Sequence, residues 1–223
     1  MTTSGAAFSS PRRVILAGAT GLVGGHLLSG LLADDSVAEV QVLSRRPLAQ
    51  AHAKLRNRVV DFSALPALSA ADEVYLSLGT TIKVAGSREA FRAVDYEANL
   101  AVARAALAAG ARRIGLVSAM GANARARVFY SRVKGELEDA IFALRADTTV
   151  VVRPSLLLGD RQRLGQPERA GEAFATLIMK PLRIFIPRNY RPVLAEKVAR
   201  ALLVTLPART GSLILSSSEL QQY

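Results

Sequence analysis

The sequence predicts an α/β fold, a doubly wound parallel β-sheet with helices on both faces. Two observations predict it. Compact apolar runs alternate with longer helical patterns along the chain, and the first apolar run ends at a glycine-rich turn that opens a helix. Apolar strands that alternate with helices are typical of a parallel sheet buried on both sides.

The apolar runs predict six strands, in order at residues 14–17, 40–43, 59–60, 74–78, 114–117 and 150–152. Helical patterns between them cover residues 22–32, 88–109 and 130–144. The second pattern is rich in alanine and lacks glycine and proline, which favours one long helix. Beyond Pro154 the pattern weakens. There we predict a loop at 159–171, a helix at 195–206 and a strand at 213–215, and we expect this C-terminal region to shape the substrate pocket.

The 223 residues are 50% hydrophobic, which suits one domain with a sizeable core. We assign residues 11–223 to that domain and residues 1–10, which are small and polar, to a disordered tail. The start of the chain does not resemble a signal peptide, and no apolar run reaches the roughly 18 residues of a membrane span. These observations predict a cytoplasmic protein. The chain has no cysteine, which excludes disulfides and thiolate chemistry.

The net charge of +11 is spread along the chain, and aromatic residues make up only 5% of it. We therefore favour a solvated basic surface with one phosphate site over a polyanion partner, and expect neither a specific nucleic acid nor a membrane as partner. The two histidines, His26 and His52, are far apart in sequence, so no metal site is expected. The oligomeric state is left open.

The turn after the first strand carries the strongest local motif. Its glycines, Gly18, Gly21 and Gly24, have the spacing of a dinucleotide-binding turn with one extra residue. Gly18 would allow a tight turn, Gly21 close approach of a pyrophosphate, and Gly24 close packing of helix and strand, while the helix start favours the anion. We assign the turn to cofactor binding, with Gly18, Ala19, Thr20, Gly21, Leu22 and Val23 as its contacts.

The end of the second predicted strand indicates which dinucleotide binds. NAD-binding folds place an acidic residue there, but this chain has Ser44 followed by Arg45 and Arg46. A guanidinium group matches a phosphate, so we predict NADP(H) over NAD(H). Further contacts are predicted at the ends of the next two strands: Asp61 and Phe62 at the adenine, and Leu78, Gly79, Thr80 and Thr81 along the middle of the cofactor.

Three side chains form the predicted catalytic group. Tyr130 and Lys134 are four residues apart and share one helix face, and Ser118 follows the fifth predicted strand. Ligands of open parallel sheets bind at the carboxyl ends of the strands. A nearby ammonium favours the phenolate, so Tyr130 could exchange a proton with a carbonyl or alcohol oxygen while Ser118 binds that oxygen. Hydride transfer would belong to the nicotinamide.

Together these segments make the chain resemble the short-chain dehydrogenase/reductases of the atypical or extended, epimerase/dehydratase-like kind, which have a Rossmann fold. More closely, it resembles the Tat-interacting-protein oxidoreductase family, through residues 60–62, 78–81, 133–136 and 153–162. The resemblance implies NADPH binding, a Ser118, Tyr130 and Lys134 triad, and contact of Lys134 with the nicotinamide ribose. It also implies that Pro154, Ser155 and Leu156 flank the nicotinamide.

A fourth catalytic residue is left unassigned. Many such reductases use an asparagine on the helix before the fifth strand, where this chain offers Asp95 and Asn99. The sequence therefore predicts an enzyme that transfers a hydride between NADP(H) and a small carbonyl or alcohol. The alternative is a non-catalytic NADPH sensor that binds a macromolecular partner. A sugar-nucleotide epimerase or dehydratase is less favoured because the C-terminal portion is short.

Overall fold

The computed structural model describes residues 11–159 and 187–223. Its main strands are β1 (Arg12–Ala17), β2 (Val37–Ser44), β3 (Leu55–Val59), β4 (Glu73–Leu76), β5 (Arg113–Val117), β6 (Thr148–Arg153) and β9 (Gly211–Ser216). They form one parallel sheet in the order β3-β2-β1-β4-β5-β6-β9. A small separate sheet pairs β7 (Leu157–Leu158) with β8 (Val193–Leu194). The predicted doubly wound α/β fold is confirmed.

Helices cover both faces of the sheet. They are α1 (Leu22–Ala33), α2 (Ile82–Ala85), α3 (Arg88–Arg92), α4 (Asn99–Ala108), α5 (Phe129–Ala143), α6 (Ala195–Ala208) and α7 (Ser217–Leu220). A π-helical turn, Ala93–Ala98, joins α3 to α4, and a 3₁₀ turn covers Arg188–Tyr190. None of the described helices is long and apolar enough to cross a bilayer.

Two hydrophobic cores lie on opposite faces of the sheet because side chains alternate along each strand. Val14 and Leu16 of β1 face one core, which they share with α1 and α6. Ile15 and Ala17 face the other, which includes residues of α4 and α5. The strands inside the sheet are therefore buried on both sides, which explains the continuous apolar runs of the sequence.

Two predicted elements differ from the observed ones. The sequence predicts a third strand at residues 59–60, but β3 is Leu55–Val59, an edge strand with polar side chains at Arg56, Asn57 and Arg58. Its pairing with β2 rather than its own hydrophobicity keeps it extended. The helix predicted at 88–109 is interrupted by the π-helical turn. The strand predicted at 213–215 and the helix at 195–206 are present, whereas most of the loop predicted at 159–171 lies outside the described residues.

The strand order places a crevice at the centre of the molecule. From β1 the chain first builds the sheet outward through β2 and β3, then returns to add β4 on the other side of β1. Ligands of doubly wound folds bind where the strand order reverses, outside the carboxyl ends of the strands. The segments that follow β1 and β4 therefore border the expected binding site.

Candidate functional site

The glycine turn after β1 fits tightly against the segment that follows β4. Gly18 has a φ of 95°, in the left-handed region, and a Cβ built on it would lie 2.5 Å from the Ser77 backbone. A Cβ on Gly24 would lie 1.9 Å from the Gly18 carbonyl oxygen. Both positions therefore require glycine, Gly18 for its conformation and Gly24 for the close approach of α1.

The amino end of α1 is open toward an anion. Gly21 caps the helix without a side-chain hydrogen bond, and the first turn contains no acidic residue. The first N–H groups of a helix have no intrahelical partner and lie at the positive end of its dipole. A cleft of about 600 Å³ reaches this point and is lined by Ala19, Thr20 and His26 among others. The turn thus has the donors and the access that a pyrophosphate needs.

At the end of β2, Ser44 and the two arginines differ in their surroundings. The Ser44 side chain is buried; its hydroxyl donates to the Arg46 carbonyl at 2.7 Å and accepts from the Asn57 amide at 2.7 Å. Arg45 and Arg46 are exposed, and neither guanidinium bonds to another described residue. Ser44 therefore shapes the turn that presents the arginines, which are the groups accessible to a ligand.

Asp61 and Phe62 follow β3 at the same edge of the sheet. Asp61 is exposed, and its Oδ1 accepts hydrogen bonds from the Ser63 amide at 2.9 Å and the Ser63 hydroxyl at 2.7 Å. These hydrogen bonds lower the pKa of the Asp61 carboxyl. Phe62 is half-buried against the core that contains α4 and α5. The assignment of these two residues to the adenine stays a prediction.

The loop after β4 is anchored to the π-helical turn. The Thr80 amide donates to Asp95 Oδ2 at 2.8 Å, and the Asn99 side chain donates to the Leu78 carbonyl at 3.1 Å. Gly79 lies between them; a Cβ built on it would be 3.5 Å from Asp95 Oδ1 and 3.9 Å from Lys134 Nζ. The predicted cofactor loop is therefore hydrogen-bonded to Asp95, the partner of the predicted catalytic lysine.

Lys134 is buried and paired with Asp95. Its Nζ lies 2.7 Å from Asp95 Oδ1, and the two side chains are 5% and 1% exposed. Burial lowers the pKa of Lys134, but Asp95 and Tyr130 outweigh it, and the pKa is raised above its ordinary value. Lys134 therefore stays an ammonium group at neutral pH, as the predicted triad requires.

Tyr130 lies one helical turn before Lys134 on α5. It is half-buried, and its ring packs against Phe91 of α3 with 5.6 Å between ring centroids. Its hydroxyl makes no hydrogen bond to any residue in the described parts of the chain. Packing against Phe91 thus fixes the position of the ring.

Ser118 is held in a different network. It follows β5 and is buried, and its hydroxyl donates to Glu138 Oε1. Glu138 also accepts from Arg153 Nε at 3.1 Å through both carboxylate oxygens. Ser118 therefore does not hydrogen-bond Tyr130 in this structure. The sequence pattern alone does not single out Glu138 or the role of Arg153, although Glu138 continues the four-residue spacing of Tyr130 and Lys134 along α5.

The residues after β6 connect the site to the C-terminal segment. The Pro154 carbonyl accepts from the Met120 amide at 2.8 Å, and the Ser155 hydroxyl donates to the Arg191 carbonyl at 2.6 Å. Leu156 is 41% exposed. These residues lie at the carboxyl end of the sheet, and their contact with a nicotinamide stays a prediction.

The structure thus joins Lys134, Asp95 and Thr80 by an ion pair and a hydrogen bond, with Tyr130 one helical turn before Lys134. It holds Ser118 in a second network with Glu138 and Arg153. Among residues 11–159 and 187–223, no three His, Cys, Asp or Glu side chains are grouped as ligands for a metal ion. The combination of a glycine turn, an exposed pair of arginines and a tyrosine beside a buried ammonium suits the chemistry of a dinucleotide-dependent proton and hydride transfer.

Comparison with known proteins agrees with this geometry. Residues 18–174 match the NAD(P)H-binding family. The mitochondrial protein fmp52 of Aspergillus niger is 34% identical over 177 residues, which cover 75% of this chain and 76% of that protein. Mitochondrial FMP52 of Candida albicans is 39% identical over 153 residues, covering 65% of this chain and 67% of the relative. The closer likeness to the Tat-interacting-protein family stays a prediction.

Solved structures share the fold. An oxidoreductase of the short-chain dehydrogenase/reductase family from Burkholderia thailandensis has a TM-score of 0.68 at 22% identity, with 95% of this chain and 94% of that chain covered. The ADP-L-glycero-D-manno-heptose-6-epimerase of Helicobacter pylori has a TM-score of 0.68 at 15% identity, with 93% and 77% covered. At these identities the likeness concerns the fold alone.

The predicted cytoplasmic location is wrong by this comparison, because the related fungal proteins are named mitochondrial. The prediction rested on the polar start of the chain and the lack of an apolar run. Neither feature distinguishes one aqueous compartment from another.

The family, the fold and the geometry of the crevice lead to one conclusion. The chain belongs to the NAD(P)H-binding family, has the Rossmann-type, epimerase- and dehydratase-like fold of the short-chain dehydrogenase/reductases, and is related to the Fmp52 proteins.

Proposed function

We propose that this protein is an NADP(H)-dependent oxidoreductase that transfers a hydride between the nicotinamide and a small carbonyl or alcohol, with Tyr130 as acid and base. The observation that carries the proposal is the position of Tyr130 on α5, one helical turn before the buried Lys134, whose pKa the Tyr130 phenol helps to raise. The NAD(P)-binding family and fold support a dehydrogenase or reductase role.

The residues of the crevice fit a dinucleotide. The uncapped amino end of α1 offers N–H groups to the pyrophosphate, and a side chain at Gly18 or Gly24 would collide with neighbouring backbone. The exposed Arg45 and Arg46 would hold the 2′-phosphate, which is the basis for proposing NADP(H) over NAD(H). The buried Ser44 would act only through the shape of the turn.

Each side chain of the site has a defined task in the proposed reaction. The bound nicotinamide supplies or accepts the hydride. Tyr130 gives a proton to the carbonyl oxygen during reduction, or takes one from the alcohol during oxidation. Lys134 remains protonated and stabilises the Tyr130 phenolate by its charge. Ser118 can bind the reacting oxygen only by sharing or leaving its hydrogen bond to Glu138.

The mechanism is tested by Tyr130→Phe. We expect turnover to fall by roughly 10²–10⁴-fold, the usual contribution of general acid–base catalysis, while the dissociation constant of NADPH stays nearly unchanged. The phenol oxygen moves the proton but contributes little to holding the dinucleotide. The measurement is NADPH oxidation over a panel of small carbonyl compounds, followed by NADPH titration of the variant.

Tyr96→Phe is the matched control. Tyr96 is half-buried on the neighbouring π-helical turn, under the guanidinium of Arg92, whose Cζ lies 4.3 Å from the ring centroid. Near-normal turnover in Tyr130→Phe, with an unmodified protein that is active, would contradict the assigned mechanism. If no carbonyl in the panel is reduced and NADPH instead changes the association of the protein with a macromolecule, the sensor function replaces the enzymatic one.

A further inference from the structure

The buried carboxylate of Asp95 connects two parts of the candidate site. Asp95 Oδ1 lies 2.7 Å from Lys134 Nζ, and Oδ2 accepts from the Thr80 amide at 2.8 Å. The carboxylate is therefore divided between the predicted catalytic lysine and the predicted cofactor loop. At 1% exposure it has no contact with bulk water that would weaken either interaction.

The backbone around Asp95 is specialised for this position. Asp95 lies in the π-helical turn Ala93–Ala98. Such turns are rare in proteins, and those that occur are often found at functional sites. The Asn99 side-chain amide donates to the backbone carbonyl oxygens of Asp95 and Leu78, each at 3.1 Å. The Asn99 side chain thus binds the turn to the loop after β4, whereas the Asp95 side chain binds Lys134. The sequence leaves open which of these two residues is the fourth member of the site, and their different contacts distinguish them.

We propose that Asp95 is a positioning residue that holds the Lys134 ammonium in place and, by compensating its charge, sets the pH at which Tyr130 ionises. The inference rests on the proposed function for its role in catalysis. Its physical content can be tested without a substrate.

Ionisable side chains from two elements act on the charge of Lys134. These are Asp95 from the π-helical turn and Tyr130 and Glu138 from α5, and Glu138 is itself bound by Ser118 and Arg153. With Asp95 ionised, Tyr130 is near an ammonium–carboxylate pair of zero net charge. Without the Asp95 charge it would be near an uncompensated cation. Removing that charge must therefore lower the pH at which Tyr130 loses its proton.

Asp95→Asn is the direct test, because asparagine keeps the size and an acceptor for the Thr80 amide but removes the charge. The difference in ultraviolet tyrosinate absorbance between each protein and its Tyr130→Phe counterpart follows the ionisation of Tyr130 alone. We expect the midpoint of this titration to lie about one to two pH units lower in Asp95→Asn than in the unmodified protein. Coincident titrations would overturn the proposal.

Asp147→Asn is the matched control for the loss of one aspartate charge. Asp147 pairs with Arg112 at 3.2 Å on the surface, and the two side chains are 59% and 74% exposed. In Asp147→Asn, Tyr130 should titrate as it does in the unmodified protein. An equal shift in this control would show that overall charge, rather than the position of Asp95, moves the titration.

A second pair of variants avoids the unpaired buried ammonium that Asp95→Asn creates. In Lys134→Gln the Asp95 charge remains alone, and Tyr130 should ionise at higher pH than in the unmodified protein. In the double variant Asp95→Asn, Lys134→Gln no buried charge of this pair remains, and Tyr130 should ionise at lower pH than in Lys134→Gln alone. If the added Asp95→Asn change leaves the titration of Lys134→Gln unmoved, the proposal fails.

The link to the cofactor loop has its own measurement. Asp95→Ala removes the acceptor of the Thr80 amide, whereas Asp95→Asn retains one, so NADPH should bind Asp95→Ala roughly two- to tenfold more weakly than Asp95→Asn. Equal dissociation constants would contradict the link. These experiments need no turnover. If Tyr130 titrates at lower pH in Asp95→Asn but the protein has no reductase activity, the proposed function is refuted and the role of Asp95 stands.

Discussion

Two buried carboxylates divide the polar side chains of the site between them. Asp95 takes Lys134 and the Thr80 amide, and Glu138 takes Ser118 and Arg153. A buried carboxylate is stable only when its oxygens are paired or hydrogen-bonded, so each one fixes the side chains around it. The ion pairs and hydrogen bonds of these two carboxylates therefore hold α5 and the π-helical turn together. Among the described residues, the Tyr130 hydroxyl is the one triad group without a hydrogen-bond partner.

This division predicts a limited role for Ser118. In Ser118→Ala, turnover should fall about tenfold, the value of one hydrogen bond to a reacting oxygen, because the proton donor Tyr130 remains. Glu138 keeps its hydrogen bonds from Arg153, so the fold should be preserved. The measurement is kcat in parallel with Tyr130→Phe. A loss as large as that of the tyrosine variant would mean that Ser118 itself moves the proton.

The two exposed arginines after β2 carry the predicted cofactor preference. Replacing Arg45 and Arg46 by alanine should weaken NADPH binding by about 1.5–3 kcal/mol for each charge-assisted hydrogen bond that is removed, and NADH binding much less. Fluorescence titration with both nucleotides measures the difference. The matched control is Arg125→Ala, a change on the loop before α5. Equal affinity of the unmodified protein for NADPH and NADH would contradict the preference.

At the scale of elements, α5 and the loop before it approach each other at Gly135. A Cβ built on Gly135 would lie 2.1 Å from the Ala124 nitrogen and 2.2 Å from the Asn123 carbonyl carbon. These atoms belong to backbone, which cannot rotate away as a side chain can. The glycine directly after Lys134 thus allows the loop that follows β5 to pack on the helix that carries Tyr130.

Gly135→Ala should therefore destabilise the protein, by about 1–3 kcal/mol, even though alanine favours the helix by about 1 kcal/mol. Urea denaturation measures the loss, and Asp139→Ala, an exposed change on the same helix, should stay within about 0.5 kcal/mol. Turnover should also fall, because a displaced loop moves Ser118 and α5 relative to each other. Unchanged stability in Gly135→Ala would show that the loop gives way without cost.

At the scale of the whole molecule, a second charge cluster lies at the opposite end of the sheet. Arg12 of β1 contacts Glu73 of β4 at 2.7 Å and Asp34 after α1 at 2.6 Å. Arg12 and Glu73 are 3% and 0% exposed. Burial raises the pKa of Glu73, although Arg12 and Arg113 act in the opposite direction. This cluster links β1 and β4 at the centre of the sheet to the end of α1. It has no part in the proposed chemistry.

Arg12→Ala should cost about 3–5 kcal/mol of unfolding free energy at neutral pH, because Glu73 loses its closest cation. The loss should shrink as the pH falls toward 4.5, the ordinary value for glutamate. The folded state, with the raised pKa, binds the proton more tightly than the unfolded state, so protonation restores stability. Urea denaturation at several pH values measures both effects, and Arg112→Ala, in an exposed ion pair, should change stability by at most about 1 kcal/mol. A pH-independent loss would contradict this account.

The sequence alone determined the class of fold and predicted the place of the candidate site, because both depend on local patterns. Apolar runs follow from burial on both faces of a parallel sheet, and the glycine turn follows from backbone geometry within seven residues. The full extent of β3 could not be predicted, because pairing with β2 stabilises it and its own sequence has no apolar pattern. The π-helical turn could not be predicted either, because it depends on a contact with Leu78 that is distant in sequence.

Only the tertiary structure decided how the site residues pair. Asp95 reaches Lys134 from a position 39 residues earlier in the chain, and Ser118 is paired with Glu138 instead of Tyr130. Such pairings depend on how α5 packs against the π-helical turn and the strand ends, and a linear pattern does not encode that packing. The same spacing of Ser118, Tyr130 and Lys134 is compatible with either hydrogen-bond arrangement. The choice follows from burial, which requires every carboxylate in the interior to have a partner.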